Sequence, residues 1–301
     1  MSTLPPSDRK PRRFPLQLDQ LAPSSRATGA RASTPATSPR VARDILRPQA
    51  HLHHAERDRQ RLAPPQGLGL DSAQVRLRMV QRLQAEGINH PGVLKAFATV
   101  PRHLFVDTAL VNQAYEDTSL PIGLGQTISK PSVVAAMIQL LCERSGVLRP
   151  EATVASAVAH PLGACLEIGT GCGYQAALLG MLARRVISIE RLRDLHLKAR
   201  SNLDQLRTLL PTSPDVRLVY GDGMIGHGPS APYDTIIAAA GGSALPQAWL
   251  DQLAPGGRLV APTEDERGGQ VLVIVDRLPD GRFQHTRAGA VLFVPLKSGI
   301  T

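Results

Sequence analysis

Cysteine is scarce in this 301-residue sequence: Cys142, Cys165 and Cys172 are an odd set with no C-x-x-C spacing. Such a set argues against both a disulfide framework and a zinc site, and it fits a reducing cytoplasm. No run approaches the roughly 18 apolar residues that a membrane-spanning helix requires. The N-terminus also lacks the basic, apolar and small-residue order of a secretion signal. Residues 1–70 have no sustained apolar period; they are dense in Pro, Ser, Ala and Arg, as in PPSDRKPRRFP, and are expected to be a disordered extension.

A charge excess is missing from the rest of the chain as well. The net charge is +9, but residues 1–70 hold 12 Lys and Arg against 5 Asp and Glu, which leaves 22 basic and 20 acidic residues for the remainder. A balance near +2 is ordinary for an enzyme and gives no reason to expect nucleic acid on the folded domain. An apolar share of 43% is enough to bury a core.

Regular structure is expected from about residue 71. Val75, Leu77, Met79, Val80 and Leu83 recur at helical spacing, with Asp71 or Ser72 as N-cap and Gly87 as C-cap. PGVLKAFATV reads as a second helix. AYEDTSLPIGLGQTISKP reads as a long loop without regular structure, and SVVAAMIQLLCERSG as an amphipathic helix. From residue 164 short Val/Ile/Leu runs alternate with helical segments, the pattern of a doubly wound, mostly parallel sheet covered on both faces. QVLVIVDRL and GAVLFVPL, around Asp280-Gly281, close it as an antiparallel hairpin. Residues 149–163 exceed what the connection needs and read as a surface insertion. The expected organisation is therefore an extension over 1–70 and one domain over 71–301, with a helical and loop part (71–148), the insertion, and a cofactor-binding sheet (164–301).

The chemistry begins at LEIGTGCGY. A strand ends near Glu167, and Gly169, Gly171 and Gly173 form a G-x-G-x-G turn opening the next helix. Tyr174 stands where a dinucleotide fingerprint needs its third glycine, so a pyrophosphate is less favoured, and the methionyl carboxylate of S-adenosylmethionine would serve these amides as well as a phosphate. Glu190 ends the second strand, where an acid accepts ribose hydroxyls. Asp222, between Gly221 and Gly223, ends the third, where an acid accepts an adenine amino hydrogen and glycine backbone lies against the ring.

Together with VPRHLFV, LPIGLGQTISKP, GDG, APYDTIIAAA, LAPGGRLVAP and AVLFVPL, in that order from about Gln74 to Ser298, these residues make the sequence similar to the protein-L-isoaspartate (D-aspartate) O-methyltransferases. The glycine turn is common to many methyltransferases; LPIGLGQTIS is close to a signature of this family. The resemblance implies a Rossmann-like class I S-adenosylmethionine-dependent fold and methyl esterification of isoaspartyl residues in damaged proteins and peptides. It also implies that Ser129 is the active-site serine, that Gln126 to Ser132, with Thr127 among them, line the junction of cofactor and substrate, and that Val294, Pro295 and Leu296 border the peptide. Gly241-Gly242 departs from the family, whose bacterial members often carry prolines there.

Methyl transfer to an ionised carboxylate needs positioning and no general base, and the loop around Ser129 offers Gln126, Thr127 and Ser129 but, except for Lys130, no His, Glu or Lys poised to take a proton. No metal is required. Cys172 lacks an accompanying base and reads as a small residue tolerated in the turn. A methyltransferase of nucleic-acid amino groups would carry an Asp/Asn-Pro-Pro-aromatic run at the fourth strand end, where Ala238 to Gly242 stand instead. A non-catalytic scaffold working through its basic tail would have no need of an intact loop at Ser129.

Overall fold

The computed structural model describes residues 73–144, 159–210 and 215–301. The expected extension, the N-cap at Asp71 or Ser72 and most of the 149–163 insertion lie outside the described residues.

Helix α1 (Ala73–Ala85) buries Met79, Val80 and Leu83 and ends as expected: Gly87 adopts φ 99°, and the Ile88 amide reaches back to the Leu83 carbonyl at 3.0 Å. Helix α2 (Pro91–Thr99) starts on a proline, with His90 Nδ1 accepting from the Val93 amide.

The segment expected to lack regular structure contains a hairpin, β1 (Leu120–Gly123) and β2 (Gln126–Ile128), joined by Leu124-Gly125. Pro121, Gly123 and Gly125 obscured it in the sequence. Burial of Leu120, Ile122 and Ile128 stabilises it, and φ values of 53° at Leu124 and 68° at Gly125 give the positive φ pair of a tight hairpin turn. Leu124 is the one non-glycine residue with positive φ among the described residues; a leucine there costs about 1–2 kcal/mol relative to an ordinary backbone. Helix α3 (Pro131–Cys142) follows.

The main sheet comprises β3 (Gly163–Ile168), β4 (Ala183–Glu190), β5 (Val216–Tyr220), β6 (Tyr233–Ala238), β7 (Leu253–Glu264), β8 (Gln270–Arg277) and β9 (Phe283–Val291), in the spatial order β5-β4-β3-β6-β7-β8-β9. Pairings from β5 to β7 are parallel and the last two are antiparallel. Helices α4 (Tyr174–Gly180), α5 (Arg193–Leu209) and α6 (Gln247–Gln252) connect them. Strand residues alternate between two cores. Cys165, Val186, Ile237 and Val260 pack beneath α1 to α5, whereas Leu166, Ile187, Ile236 and Leu259 face the side that holds Trp249 of α6. Chain order reverses on either side of β3, so a crevice opens at the carboxyl ends of β3 and β6.

Three expected elements end early. The helix expected over SVVAAMIQLLCERSG stops at Cys142, and the one expected over YQAALLGMLA stops at Gly180, with Ala183 already in β4. Strand β9 stops at Val291 and does not include Val294 to Leu296; there the chain leaves the sheet because the Phe293 amide donates to Gln270 Oε1 and the segment turns to Gly241.

Candidate active site

A cleft of about 510 Å³ lies at the crevice, within the usual range of small-molecule sites. Its floor is Ile168 to Cys172, Ile189 to Leu192, Gly223 and Ala239-Ala240. The hairpin from Leu124 to Ser129 forms one wall and Val294 to Lys297 forms another. The expected residues Gln126, Thr127, Ser129, Gly169, Gly171, Glu190, Gly223, Val294, Pro295 and Leu296 thus line one cavity, although they span 171 positions from Gln126 to Leu296.

The floor is built by local backbone demands. Gly169, Gly171 and Gly173 all have positive φ, at 88°, 56° and 92°, which side-chain-bearing residues resist. A Cβ on Gly171 would stand 3.2 Å from Ile122 Cδ1, so this glycine lets the hairpin close onto the turn. Glu190, 5% exposed, accepts from the Gly171 amide through Oε2 (2.8 Å) and from the Leu192 amide through Oε1 (2.9 Å). That bracing fixes the carboxylate while each oxygen keeps a lone pair for a ligand. Against expectation the Gly169 amide is engaged by the Ile189 carbonyl (2.9 Å) and the Gly171 amide by Glu190, so the turn offers close backbone approach and not free amides; with the braced acid at the next strand end and the bare backbone of Gly223 it fits an adenosine group carrying an amino-acid tail.

Four expected residues do not line the cleft. Gly173 serves packing: a Cβ there would meet Ala199 Cβ of α5 at 3.3 Å. Glu167 is completely buried under the turn, where it accepts from the Ser188 hydroxyl, which leaves Thr170 to donate to Ser188. Burial pushes the Glu167 carboxyl up to about 8, against a smaller opposing effect of the Ser188 bond. Asp222 accepts from Met224 (2.8 Å) and from Gly299 (2.7 Å), so both its oxygens are engaged by the protein's own backbone. Ser132 is held by Asp117, which accepts from its amide (2.8 Å) and its hydroxyl (2.7 Å).

Ser129 itself is half-buried, and its hydroxyl has no hydrogen-bond partner among the described residues. Neighbouring Lys130 is drawn away to Asp117 at 3.5 Å. Cys172 is buried and burial pushes its thiol up, which suits a packing residue better than a nucleophile. The second wall is held by Gly241, whose amide donates to the Val294 carbonyl (2.9 Å) and whose carbonyl accepts from the Leu296 amide (2.7 Å). A proline at 241 would forfeit the first bond, so the departure from the family is matched by how this wall is docked. Among the described residues no helix is long and apolar enough to cross a membrane, and no group of three or more His, Cys, Asp or Glu is placed to hold a metal.

Sequence reasoning missed Gln175, Leu192 and Leu124 as cleft residues and Asp117 as the anchor of the Ser129 loop. Leu124 lies within the LPIGLGQTIS segment, and Asp117 stands three residues before it in the same stretch, AYEDTSLPIGLGQTISKP. Gln175 follows directly on the glycine turn, which was its available signal.

The family model described as Protein-L-isoaspartate(D-aspartate) O-methyltransferase (PCMT) matches residues 74–301. A protein-L-isoaspartate O-methyltransferase of Methylibium petroleiphilum is 58% identical over 288 residues, covering 95% of this chain and 96% of its own. One of Leptothrix cholodnii is 53% identical over 95% of this chain and 94% of its own. Among solved structures, a Plasmodium falciparum protein-L-isoaspartate O-methyltransferase in complex with S-adenosyl-L-homocysteine has the same fold, with TM-score 0.60 and 23% identity over 73% of this chain and 97% of that one. Glycine turn, hairpin wall and relatives agree, and the chain belongs to the protein-L-isoaspartate (D-aspartate) O-methyltransferase family.

Proposed function

We propose that this chain esterifies the free α-carboxyl of L-isoaspartyl residues in damaged proteins and peptides, with S-adenosylmethionine as methyl donor, and so initiates their repair. The observation that carries this reading is the meeting of the glycine turn with the unpartnered Ser129 hydroxyl across one cleft, in a loop that offers no general base. When bound, the donor supplies an electrophilic methyl on a sulfonium, open to in-line attack.

The protein's work is positioning. The side-chain-free backbone of Gly169 and Gly171 lets the donor's amino-acid end approach closely, Glu190 accepts from its ribose hydroxyls, and Gly223 lets backbone lie against its base. Glu167, Gly173 and Asp222 support these groups from behind. Ser129 donates to one oxygen of the isoaspartyl carboxylate, which is already ionised at neutral pH, with a pKa near 4. Gln126 and Thr127 hydrogen-bond the peptide, Ser132 holds the end of their loop, and Val294 to Leu296 border the peptide groove. Orientation of this kind supplies on the order of 7–11 kcal/mol of barrier lowering. The reading extends to a cytoplasmic enzyme whose partners are isoaspartyl proteins, whose folded domain takes no nucleic acid, and whose residues 1–70 form a separate basic extension.

The test is transfer of labelled methyl to two peptides differing only in an isoaspartyl or aspartyl linkage, counted as base-labile methanol. Label on the isoaspartyl peptide alone is expected; label on neither, with the donor still bound, overturns the assignment.

A further inference from the structure

Leu124 occupies a position that the fold gives no reason to fill with leucine. Its φ of 53° lies in the left-handed region, and Gly125 follows at 68°, a pair of turn positions where Asn, Asp and Gly are strongly preferred. Its side chain is 57% exposed, so it adds little to the core, unlike Ile122 and Ile128 on the same hairpin, which are 4% and 5% exposed. It nevertheless lines the cleft, at the tip of the wall that carries Gln126, Thr127 and Ser129. The other wall is apolar at Val294, Pro295 and Leu296, and Leu292, 93% exposed, stands just before it. A strained backbone and an exposed apolar side chain both disfavour the free protein, and both make sense once an apolar partner covers that side chain.

We infer that Leu124 is a specificity-determining residue of the peptide site, seating an apolar side chain within a few residues of the isoaspartyl; this rests on the proposed function above. The donor end of the cleft is defined by Glu190, Gly171 and Gly223 on the sheet. Those donor contacts are polar or backbone, whereas Leu124 offers an exposed apolar side chain on the wall that carries Ser129, which suits an apolar side chain of the peptide. Contact with such a partner releases water from both apolar surfaces, and it favours peptides that carry Leu, Ile, Val or Phe at the matching position.

The experiment uses the full chain and isoaspartyl peptides in a Gly/Ser background, with a single leucine moved from three residues before the isoaspartyl to three after it. The readout is the ratio of kcat/KM with leucine to kcat/KM without. We expect the wild-type ratio to reach about tenfold at one or two positions, the usual size of an apolar discrimination. In Leu124→Asn the ratio falls to about one, while the thermal midpoint rises by about 2–4 °C as the turn strain is relieved. A wild type indifferent to leucine, a variant that keeps the preference, or a variant with a lowered midpoint overturns the inference. If the wild type methylates none of the peptides, the proposed function fails; if it methylates all of them and the ratio does not respond to Leu124→Asn, only the role of Leu124 fails.

Discussion

The Ser129 hydroxyl has no partner among the described residues and lines the cleft, so its removal should strand nothing in the free protein. Ser129→Ala should therefore lose about one hydrogen bond to the substrate carboxylate, roughly tenfold in kcat/KM for an isoaspartyl peptide, with an unchanged thermal midpoint. A loss of about 10²–10⁴ would instead indicate proton transfer through this residue. Glu167 makes a different prediction. Its folded carboxyl is pushed up to about 8 from a reference value of 4.5, so the folded chain holds a proton that the unfolded chain releases. Its contribution is intact below pH 4.5, declines as pH rises toward 8, and is level above that. Glu167→Gln imitates the neutral acid, and its thermal midpoint should fall less than that of the wild type between pH 5 and 8.5; parallel profiles would show that Glu167 is ionised when folded.

At the scale of elements, the Ser129 loop depends on a contact across the β1–β2 hairpin. Helix α3 begins at Pro131, its N-cap residue Lys130 makes no side-chain capping bond, and Asp117 performs that task from outside through the Ser132 amide and hydroxyl and through Lys130. Burial acts to raise the Asp117 carboxyl, but the Ser132 bonds and Lys130 outweigh it and hold it below its usual value. Asp117→Ala should lower stability by roughly 1–2 kcal/mol, as loss of a helix cap does. Methyl transfer should fall with it, because Ser129 sits between β2 and α3. The stability deficit, followed by denaturant unfolding, should be full at neutral pH and shrink in acid as the wild-type carboxylate is protonated. The glycine C-cap of α1 and the parallel strand runs were legible in the sequence because they depend on neighbouring residues. The hairpin was not, because turn residues punctuate it and its inward leucine and isoleucines count only once a core exists to receive them.

Over the whole molecule, most of the net basic excess, +7 of +9, lies in residues 1–70, whereas the family match begins at residue 74. A chain starting at residue 71 should keep kcat/KM on isoaspartyl peptides within about twofold, the size of an ordinary surface effect. It should also lose most of its retention on a cation-exchange resin at low salt. A collapse of activity would make the extension part of the site. The near-neutral balance of the remainder was readable by counting, but the strand order was not. Alternating strands and helices call for a parallel sheet, yet placing β3 centrally, with β4 and β6 on opposite sides, is a choice among pairings that no local signal makes. By itself the sequence determined the glycine turn, the acid at the second strand end and the Ser129 segment, since these rest on backbone conformation and short spacing. Tertiary structure alone decided that Glu167 is buried against Ser188, 21 residues away. It likewise decided that Asp222 is engaged by Gly299, 77 residues on, and that Val294 to Leu296 dock on Gly241. Burial and the choice of hydrogen-bond partner are properties of contacts between distant segments, and those exist only once the sheet has assembled.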